Sequence, residues 1–455
     1  MSSFDKSIES NEAIPDHLDD DQIVTPWKVE SKSAINYMKL IDKFGCEPID
    51  GNLIKRFEQV TKMKAHLWLR RGLFFSHRDL DKALTKYEAG EQVYLYTGRG
   101  PTSEAMHLGH MIPFMFTKFL QDAFDAILVI QMSDDEKFFF KDDELDYFNG
   151  LSYKNARDII ACGFNPEKTL IFSNLESVGG ELYKNVVKIM RTTTGNQIRG
   201  IYGLDLNNNV GQLAWPCFQA APAFSNSFSD IFGDEKHVYC LVPMAIDQDP
   251  YFRMARDFAG KKEKEGYIKP AVIHTKFLVA LGGVNAKMSS TGSSPTIYMT
   301  DTPKEIKKKI MSHAYSGGQS TLELHREYGG DLETDVSYQW LCYFMDDDVR
   351  LEQIARDYRS GEMLSGDIKK IINDIVQDMV LNHQNQRVKV TNEVIQHFFN
   401  RNRQFDMSRS ERESVELDSD YSGYGINFDL YFGLVPPVIP EDVKVQQEQV
   451  LEDTA

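Results

Sequence analysis

The residues most able to do chemistry are two histidines, His107 and His110, three apart around Gly109 in GRGPTSEAMHLGHMIPFMF (residues 98–116). The stretch follows QVYLYTGRGP, whose alternating apolar residues end in Gly and Pro and signal a strand running into a loop. Imidazoles near a helix start can donate hydrogen bonds to phosphate oxygens whose charge changes during transfer. The N–H groups and partial positive charge of a helix N-terminus are themselves a seat for phosphate. Gly98, Gly100 and Pro101 shape the turn, and Thr102 or Ser103 is expected to cap the helix. Gly109 leaves out a side chain where a nucleotide would come close. Taken alone, the string also fits two histidines on a half-exposed helix. A second polar stretch, NAKMSSTGSSP (residues 285–295), follows an apolar strand and carries one lysine, Lys287, on a Ser- and Gly-rich loop. Such a loop can close over β- and γ-phosphates; alone it also fits an ordinary solvated loop.

These groups need elements to hold them. SEAMHLGHMIPFMFTKFLQDAF reads as a long helix, and AILVIQMSD as a short apolar run suited to a buried parallel strand. HVYCLVPMAID and PAVIHTKFLVAL repeat that pattern, and strands alternating with helices argue for an open parallel α/β sheet. In such sheets ligands sit at the carboxyl ends of the strands, which is where the histidine turn falls. IDGNLIKRFEQVTK reads as a helical prelude. After Thr300 the segments TPKEIKKKIMSHAYSGG, YQWLCYFMDDDVRLEQIARDYRSG and MLSGDIKKIINDIVQDMVLNHQNQRVKVTNEVIQHFFN are helical in period, with no strands between them. The expected division is an acidic, disordered tail over 1–22, a Rossmann-like catalytic domain with an N-terminal extension over 23–300, a helical domain over 301–403, and an acidic, mostly mobile extension over 404–455.

With 455 residues, 42% hydrophobic and 26% charged, the chain has material for two domains and a large core. No apolar run approaches a bilayer span, and the first residues resemble neither a signal nor a transit peptide. Five scattered cysteines without CxxC spacing read as reduced core residues of a cytoplasmic protein, with no zinc site. The net charge is −17, of which the segment 404–455 carries −9 and the first 22 residues −6. The body is therefore close to neutral and can carry local basic patches for a nucleic acid, although no whole-protein basic field exists. DNA and membranes are not expected partners.

The histidine turn at the first strand-to-helix junction, combined with a KMSS-type loop after the last strand, resembles the class I aminoacyl-tRNA synthetases. YLYTGRGPTSEAMHLGH, LVIQMSDDEKFFFKD, FQAAPAFSNSF, AIDQDPYFRMARD and KMSST, in that order, look like the eukaryotic cytosolic tryptophanyl-tRNA synthetases, over residues 24–406. The resemblance implies an α/β fold with an HxGH/KMSS-type Rossmann-like domain, an all-helical anticodon-binding domain and a homodimer. It implies two steps, in which tryptophan is activated by ATP with Mg²⁺ and then transferred to tRNA(Trp). It assigns His107, His110 and Lys287 to catalysis, and Gly98, Arg99, Gly109, Lys137, Met288 and Ser289 to ATP. Tyr96 and Gln131 would accept the indole N–H, Glu136, Gln219 and Gln248 would hold the ammonium and carboxylate, and Phe252 would pack nearby. No metal ligand is assigned within the protein. Asp247, in AIDQD, is expected to face the site with an unassigned partner.

Tyrosyl-tRNA synthetases share this architecture and carry a stretch like YPLLQAAD, whose aspartate reads the phenol. Here the run is WPCFQAAP, with Trp215 and Pro222 at the tyrosine and aspartate positions. A proline side chain has no hydrogen-bonding group, so this site does not read a phenol that way. An indole N–H only donates, so its pocket must supply an acceptor. Such a pocket rejects phenylalanine by on the order of 10⁴-fold, because its acceptors would be left unpaired. One departure from the family pattern is the second lysine of KMSKS, which is Ser290 here, with Thr291 last; this shifts electrostatic work onto Lys287, Lys137 and Mg²⁺. The basic runs KEIKKKI and DIKKIIND are expected to meet tRNA. Rival readings are a tyrosine-specific relative, a non-catalytic paralogue and a generic nucleotidylyltransferase.

Overall fold

The computed structural model describes residues 22–26, 29–32, 34–233, 238–289, 295–417 and 421. Its centre is a seven-stranded sheet in which five strands run parallel. Val93–Arg99 lies in the middle, with Leu128–Met132 and then Thr169–Ser173 on one side, and Tyr239–Ala245 and then Ala271–Thr275 on the other. Two antiparallel strands, Phe74–Arg78 and Glu47–Pro48, extend the far edge. The parallel strands are buried along nearly their whole length, as expected for a sheet covered on both faces by crossover helices. Chain connectivity reverses direction between Val93–Arg99 and Tyr239–Ala245, so a crevice opens at their carboxyl ends.

A small second sheet was not foreseen. The hairpin Val279–Ala280/Gly283–Lys287, which ends in the loop lysine, pairs antiparallel with Val29–Ser31, and that strand pairs with Gln22–Val24. The run PAVIHTKFLVAL therefore divides between two sheets. Gln22, assigned above to the tail, opens a strand, and residues 1–21 lie outside the described residues.

The histidine helix also starts later than its composition suggests. It spans Leu108–Phe124, and its N-cap is His107, not Thr102 or Ser103. The intervening backbone is committed elsewhere. The Leu108 N–H donates to the Ile297 carbonyl at 3.1 Å, the Met299 N–H to the Met106 carbonyl at 2.8 Å, and the Met106 N–H to the Asp158 carboxylate at 3.3 Å. Residues so engaged cannot make the i→i−4 ladder of a helix.

From Pro303 to Phe399 the described elements are all helices, the longest being Ser365–Arg387. One buried apolar cluster runs from the sheet through Ile306, Trp340, Ile372 and Phe398, so the helical region shares its core with the sheet region. Of the lysines in KEIKKKI, Lys309 is used internally, donating to the Thr296 carbonyl at 2.9 Å and to Asp301 at 2.6 Å, while Lys304, Lys307 and Lys308 are exposed.

The expectation of a mostly mobile C-terminal extension does not hold for residues 404–417, which lie along the body. The Arg409 guanidinium sits 3.4 Å from the centre of the Tyr87 ring, Ser410 donates to Asp125, and Arg412 donates to the carbonyls of Thr61, Asp122 and Ala123. Those carbonyls end the helices Gly51–Thr61 and Leu108–Phe124, where acceptors lack intrahelical partners. Two arginines inside an acidic stretch thus act as a strap. Tyr421 is buried, with its hydroxyl on the Glu58 carboxylate. Residues 418–420 and 422–455 lie outside the described residues.

Candidate active site

At the histidine turn, the two histidines cap one another. His107 Nδ1 accepts from the His110 N–H at 3.3 Å, His110 Nδ1 accepts from the His107 N–H at 3.5 Å, and the rings stack with centroids 3.3 Å apart. A neutral imidazole has one acceptor and one donor nitrogen, so each ring carries its proton on Nε2. Burial, reinforced by Arg99 and Lys287, pulls the His107 pKa down to about 3; burial and the same cations hold His110 well below 6.5. Both rings are therefore neutral Nε2–H donors near pH 7, suited to phosphate oxygens without adding charge of their own. The positive charge comes from Arg99, Lys137 and Lys287. Arg99 donates Nε to Asn155 at 3.1 Å, and its buried Nη2 has no hydrogen-bond partner among the described residues. Burial lowers its pKa to about 10, against the pull of Glu136 and Asp158.

Two glycines here lie where a side chain would crowd its neighbours. A Cβ on Gly100 would lie 2.2 Å from Lys137 Cε and 2.8 Å from Glu136 Oε2. A Cβ on Gly109 would lie 3.2 Å from the His107 ring and 3.4 Å from Met288 Cβ, so Gly109 is where the histidine turn and the lysine loop touch. A Cβ on Gly98 would instead face the neighbouring strand, 3.2 Å from the Gln131 carbonyl.

Lys287 ends the strand Gly283–Lys287, and its ammonium donates to Asp247 Oδ2 at 2.6 Å. This supplies the partner for Asp247, whose other carboxylate oxygen is buried without a hydrogen-bond partner among the described residues. Met288 is buried with its N–H on the Leu278 carbonyl at 2.8 Å, and the Ser289 carbonyl accepts from Thr296 Oγ1 at 2.7 Å. Ser290 and Thr291 lie outside the described residues.

A second cluster is a hydrogen-bond chain. Tyr96, on the central strand, donates its hydroxyl to Gln131 Oε1 at 2.6 Å and also lies 2.9 Å from the Gln219 carbonyl. Gln131 Nε2 donates to Asn174 Oδ1 at 2.9 Å and to the Phe218 carbonyl at 3.2 Å, which orients its amide. Asn174 in turn donates to Asp135 at 2.9 Å. The Tyr96 hydroxyl proton and both Gln131 amide protons are therefore committed, and what remains on the Tyr96 hydroxyl is acceptor capacity. The Phe252 ring centroid is 5.9 Å from that of Tyr96. Gln219 Nε2 reaches Gln248 Oε1 at 3.4 Å. Glu136 belongs to the first turn of Asp134–Phe140, an acidic segment that is buried and not an exposed turn; its carboxylate accepts from Ser133 Oγ and faces Lys137 Nζ, each at 3.1 Å. Pro222 is buried, and its carbonyl accepts the Tyr94 hydroxyl at 3.0 Å.

Sequence reasoning missed Asn174, Asp135, Asn155 and Asp158. Asn174 had a usable signal, since it directly follows a strand at the carboxyl edge of the sheet. Asn155 and Asp158 lie three apart in the helix Leu145–Ile160, with no local mark separating them from surface polar residues. Cys46, Asp249 and His274 also converge, with ligand-type atoms within 4.8 Å of one another. Asp249 is already neutralised there: it accepts Arg78 Nε and Nη2 at 2.9 Å and His274 Nε2 at 3.1 Å, which hold its carboxyl below the usual range against burial. Burial and Asp249 push the Cys46 thiol up to about 12, so the group needs no cation to balance it.

The family described as "tRNA synthetases class I (W and Y)" matches residues 88–380. The cytoplasmic tryptophan–tRNA ligase of Bos taurus is 50% identical over 398 residues, covering 87% of this chain and 83% of that one. A tryptophanyl-tRNA synthetase structure from Plasmodium falciparum is 48% identical, with a TM-score of 0.74 over 81% of this chain and 96% of that one. One from Encephalitozoon cuniculi, bound to tryptophan, is 40% identical, with a TM-score of 0.75 over 81% and 99%. With that identity spanning the sheet, the histidine turn and the lysine hairpin, the chain belongs to the class I tRNA synthetases of the tryptophan and tyrosine type, on the branch of the tryptophan–tRNA ligases.

Proposed function

We infer that His107, His110 and Lys287 act on the phosphates of ATP while Tyr96, Gln131, Glu136, Gln219, Gln248 and Phe252 hold tryptophan. The chain is a tryptophan–tRNA ligase, an ATP-dependent enzyme that activates tryptophan and transfers it to tRNA. The tryptophan carboxylate attacks the α-phosphorus in line, pyrophosphate departs, and a ribose hydroxyl at the tRNA 3′ end takes the acyl group from the adenylate. The first step asks the protein for positioning and charge more than for covalent help. The neutral Nε2–H groups of His107 and His110 donate to phosphate oxygens. Arg99 and Lys137 supply charge, and Met288 and Ser289 carry the loop across the nucleotide. The Lys287 ammonium moves from Asp247 toward the leaving pyrophosphate. A magnesium ion carried by the nucleotide would offset phosphate charge, and the buried Asp247 Oδ1, without a hydrogen-bond partner among the described residues, would be the hard oxygen at this end to hold it.

The observation that carries the tryptophan reading is the committed donors of Tyr96 and Gln131, which leave an acceptor on the Tyr96 hydroxyl for a group that can only donate. Glu136 faces the substrate ammonium as a charge-assisted pair. A homodimer is supported by exposed apolar side chains on mutually packed elements: Phe138, Tyr147, Leu175, Tyr183, Val187 and Val210. The helical region from Pro303 to Phe399 is the anticodon-binding part, with Lys304, Lys307, Lys308 and Lys370 among its exposed cations. The relatives are named cytoplasmic, which is the location assigned to this chain; among the described residues no helix is long and apolar enough to cross a membrane. ATP–pyrophosphate exchange with tryptophan and tyrosine side by side tests the reading. Exchange with tryptophan alone supports it, and exchange with tyrosine alone ends it.

A further inference from the structure

Met106, the residue before His107, is fully buried and has both backbone groups committed. Its N–H donates to Asp158 Oδ2 at 3.3 Å, and its carbonyl accepts from Met299 N–H at 2.8 Å. Asp158 and Met299 belong to different parts of the chain, yet one turn of the long helix Ser365–Arg387 holds both. Arg387 Nε donates to Asp158 Oδ1, with His383 Nε2 3.6 Å from the same oxygen. Gln384 Nε2 donates to the Met299 carbonyl at 2.9 Å and to the Asp301 carbonyl at 3.0 Å. The stretch Thr296 to Asp301 is the stalk on which the lysine loop returns, and it lies against the histidine turn through Leu108 and Tyr298. Asp158 is wholly buried, so its charge must be met by partners held in place.

We propose that Arg387 and Gln384 are positioning residues for adenylate formation: the last turn of the long helix sets the histidine turn and the lysine-loop stalk relative to each other. Neither side chain touches a reacting atom. Each acts through a backbone group adjoining one of the two phosphate-binding elements. Arg387 fixes the Asp158 carboxylate, which fixes Met106 and the start of the histidine cap; Gln384 fixes the stalk. A helix of the anticodon-binding region thereby governs the geometry of the phosphate step. Tryptophan binding, which depends on Tyr96, Gln131 and Glu136, is outside this path.

The inference rests on the assignment of His107 to phosphate, so His107→Ala is measured in parallel. In tryptophan-dependent exchange, Arg387→Ala is expected to lower kcat by about tenfold to a hundredfold, with the KM for tryptophan changed by no more than about twofold. Arg387→Lys, which keeps a charge on Asp158, restores most of the rate. Because Arg387 works through Asp158, the double variant Asp158→Asn with Arg387→Ala is no slower than Asp158→Asn alone. Gln384→Ala buries no unpaired charge and carries the test if Arg387→Ala fails to fold; equilibrium tryptophan binding reports folding in each case. Wild-type kcat in both Arg387→Ala and Gln384→Ala, or additive losses in the double variant, overturns the proposal. Unchanged exchange in His107→Ala sinks the phosphate assignment itself, a result the other variants do not produce.

Discussion

The clusters proposed to hold tryptophan and ATP are built on opposite principles. At the proposed tryptophan end polar groups bond one another: Tyr96, Gln131, Asn174 and Asp135 form one chain in which the Tyr96 hydroxyl and the Gln131 amide are fully committed as donors. At the proposed phosphate end some groups are left without partners. Arg99 Nη2 and Asp247 Oδ1 are buried without hydrogen-bond partners among the described residues, and Lys287 is held by Asp247. The first arrangement suits recognition, because a wrong side chain strands acceptors that have no other donor. The second suits catalysis, because groups unsatisfied before the nucleotide arrives gain most when charge develops on the phosphates.

The largest expected effect is on discrimination. Tyr96→Phe combined with Gln131→Leu removes the buried acceptors, so the ratio of kcat/KM for tryptophan to that for phenylalanine should fall by about 10²- to 10³-fold. An unchanged ratio would mean that the ring is read elsewhere. Next is Lys287→Ala, which removes a cation from the phosphate end only. Exchange should slow by at least about tenfold, while tryptophan affinity measured by titration stays level. Near-normal exchange in this variant would break the contrast between the two ends.

The smallest effect lies in pH dependence. Burial raises the Asp135 carboxyl to about 7, against the pull of Asn174, whereas His107 and His110 are held well below 6.5. Asp135 is therefore protonated below about pH 7, and a neutral carboxyl is a weaker acceptor for Asn174. The kcat/KM for tryptophan should fall by about two- to fivefold as pH drops through 7, and Asp135→Asn should flatten the profile. The profile for ATP at saturating tryptophan should show no histidine ionisation between pH 6 and 8. A step near 6.5 in that profile would show a protonated histidine at the phosphate end.

Much of the sheet and the second, helical region could be read from periodicity, because buried parallel strands are short apolar runs and amphipathic helices keep a 3.6-residue stripe. The cap of the histidine helix could not. Histidine is not among the favoured N-caps, so Thr102 and Ser103 looked better placed. Yet His107 takes the role, and His66 does the same for Leu67–Arg70, because burial keeps both rings neutral with an acceptor nitrogen; the His66 pKa falls to about 4. Composition also misled at the C-terminal side, where net acidity hid the two arginines that strap residues 404–417 to the body.

Sequence alone determined which groups are present: the histidine pair, the loop lysine, the glycines that admit close contacts, and a proline at 222 whose side chain cannot read a phenol. Residue type and local spacing are enough for that, since they fix donors, acceptors and steric bulk. Only the tertiary structure decided how those groups are paired. Tyr96 meets Gln131, Lys287 meets Asp247, and Met106 meets both Asp158 and Met299 across separations from 35 to about 190 residues. Hydrogen bonds are short and directional, so partners far apart in sequence are chosen only once the sheet and helices have brought them within about 3 Å.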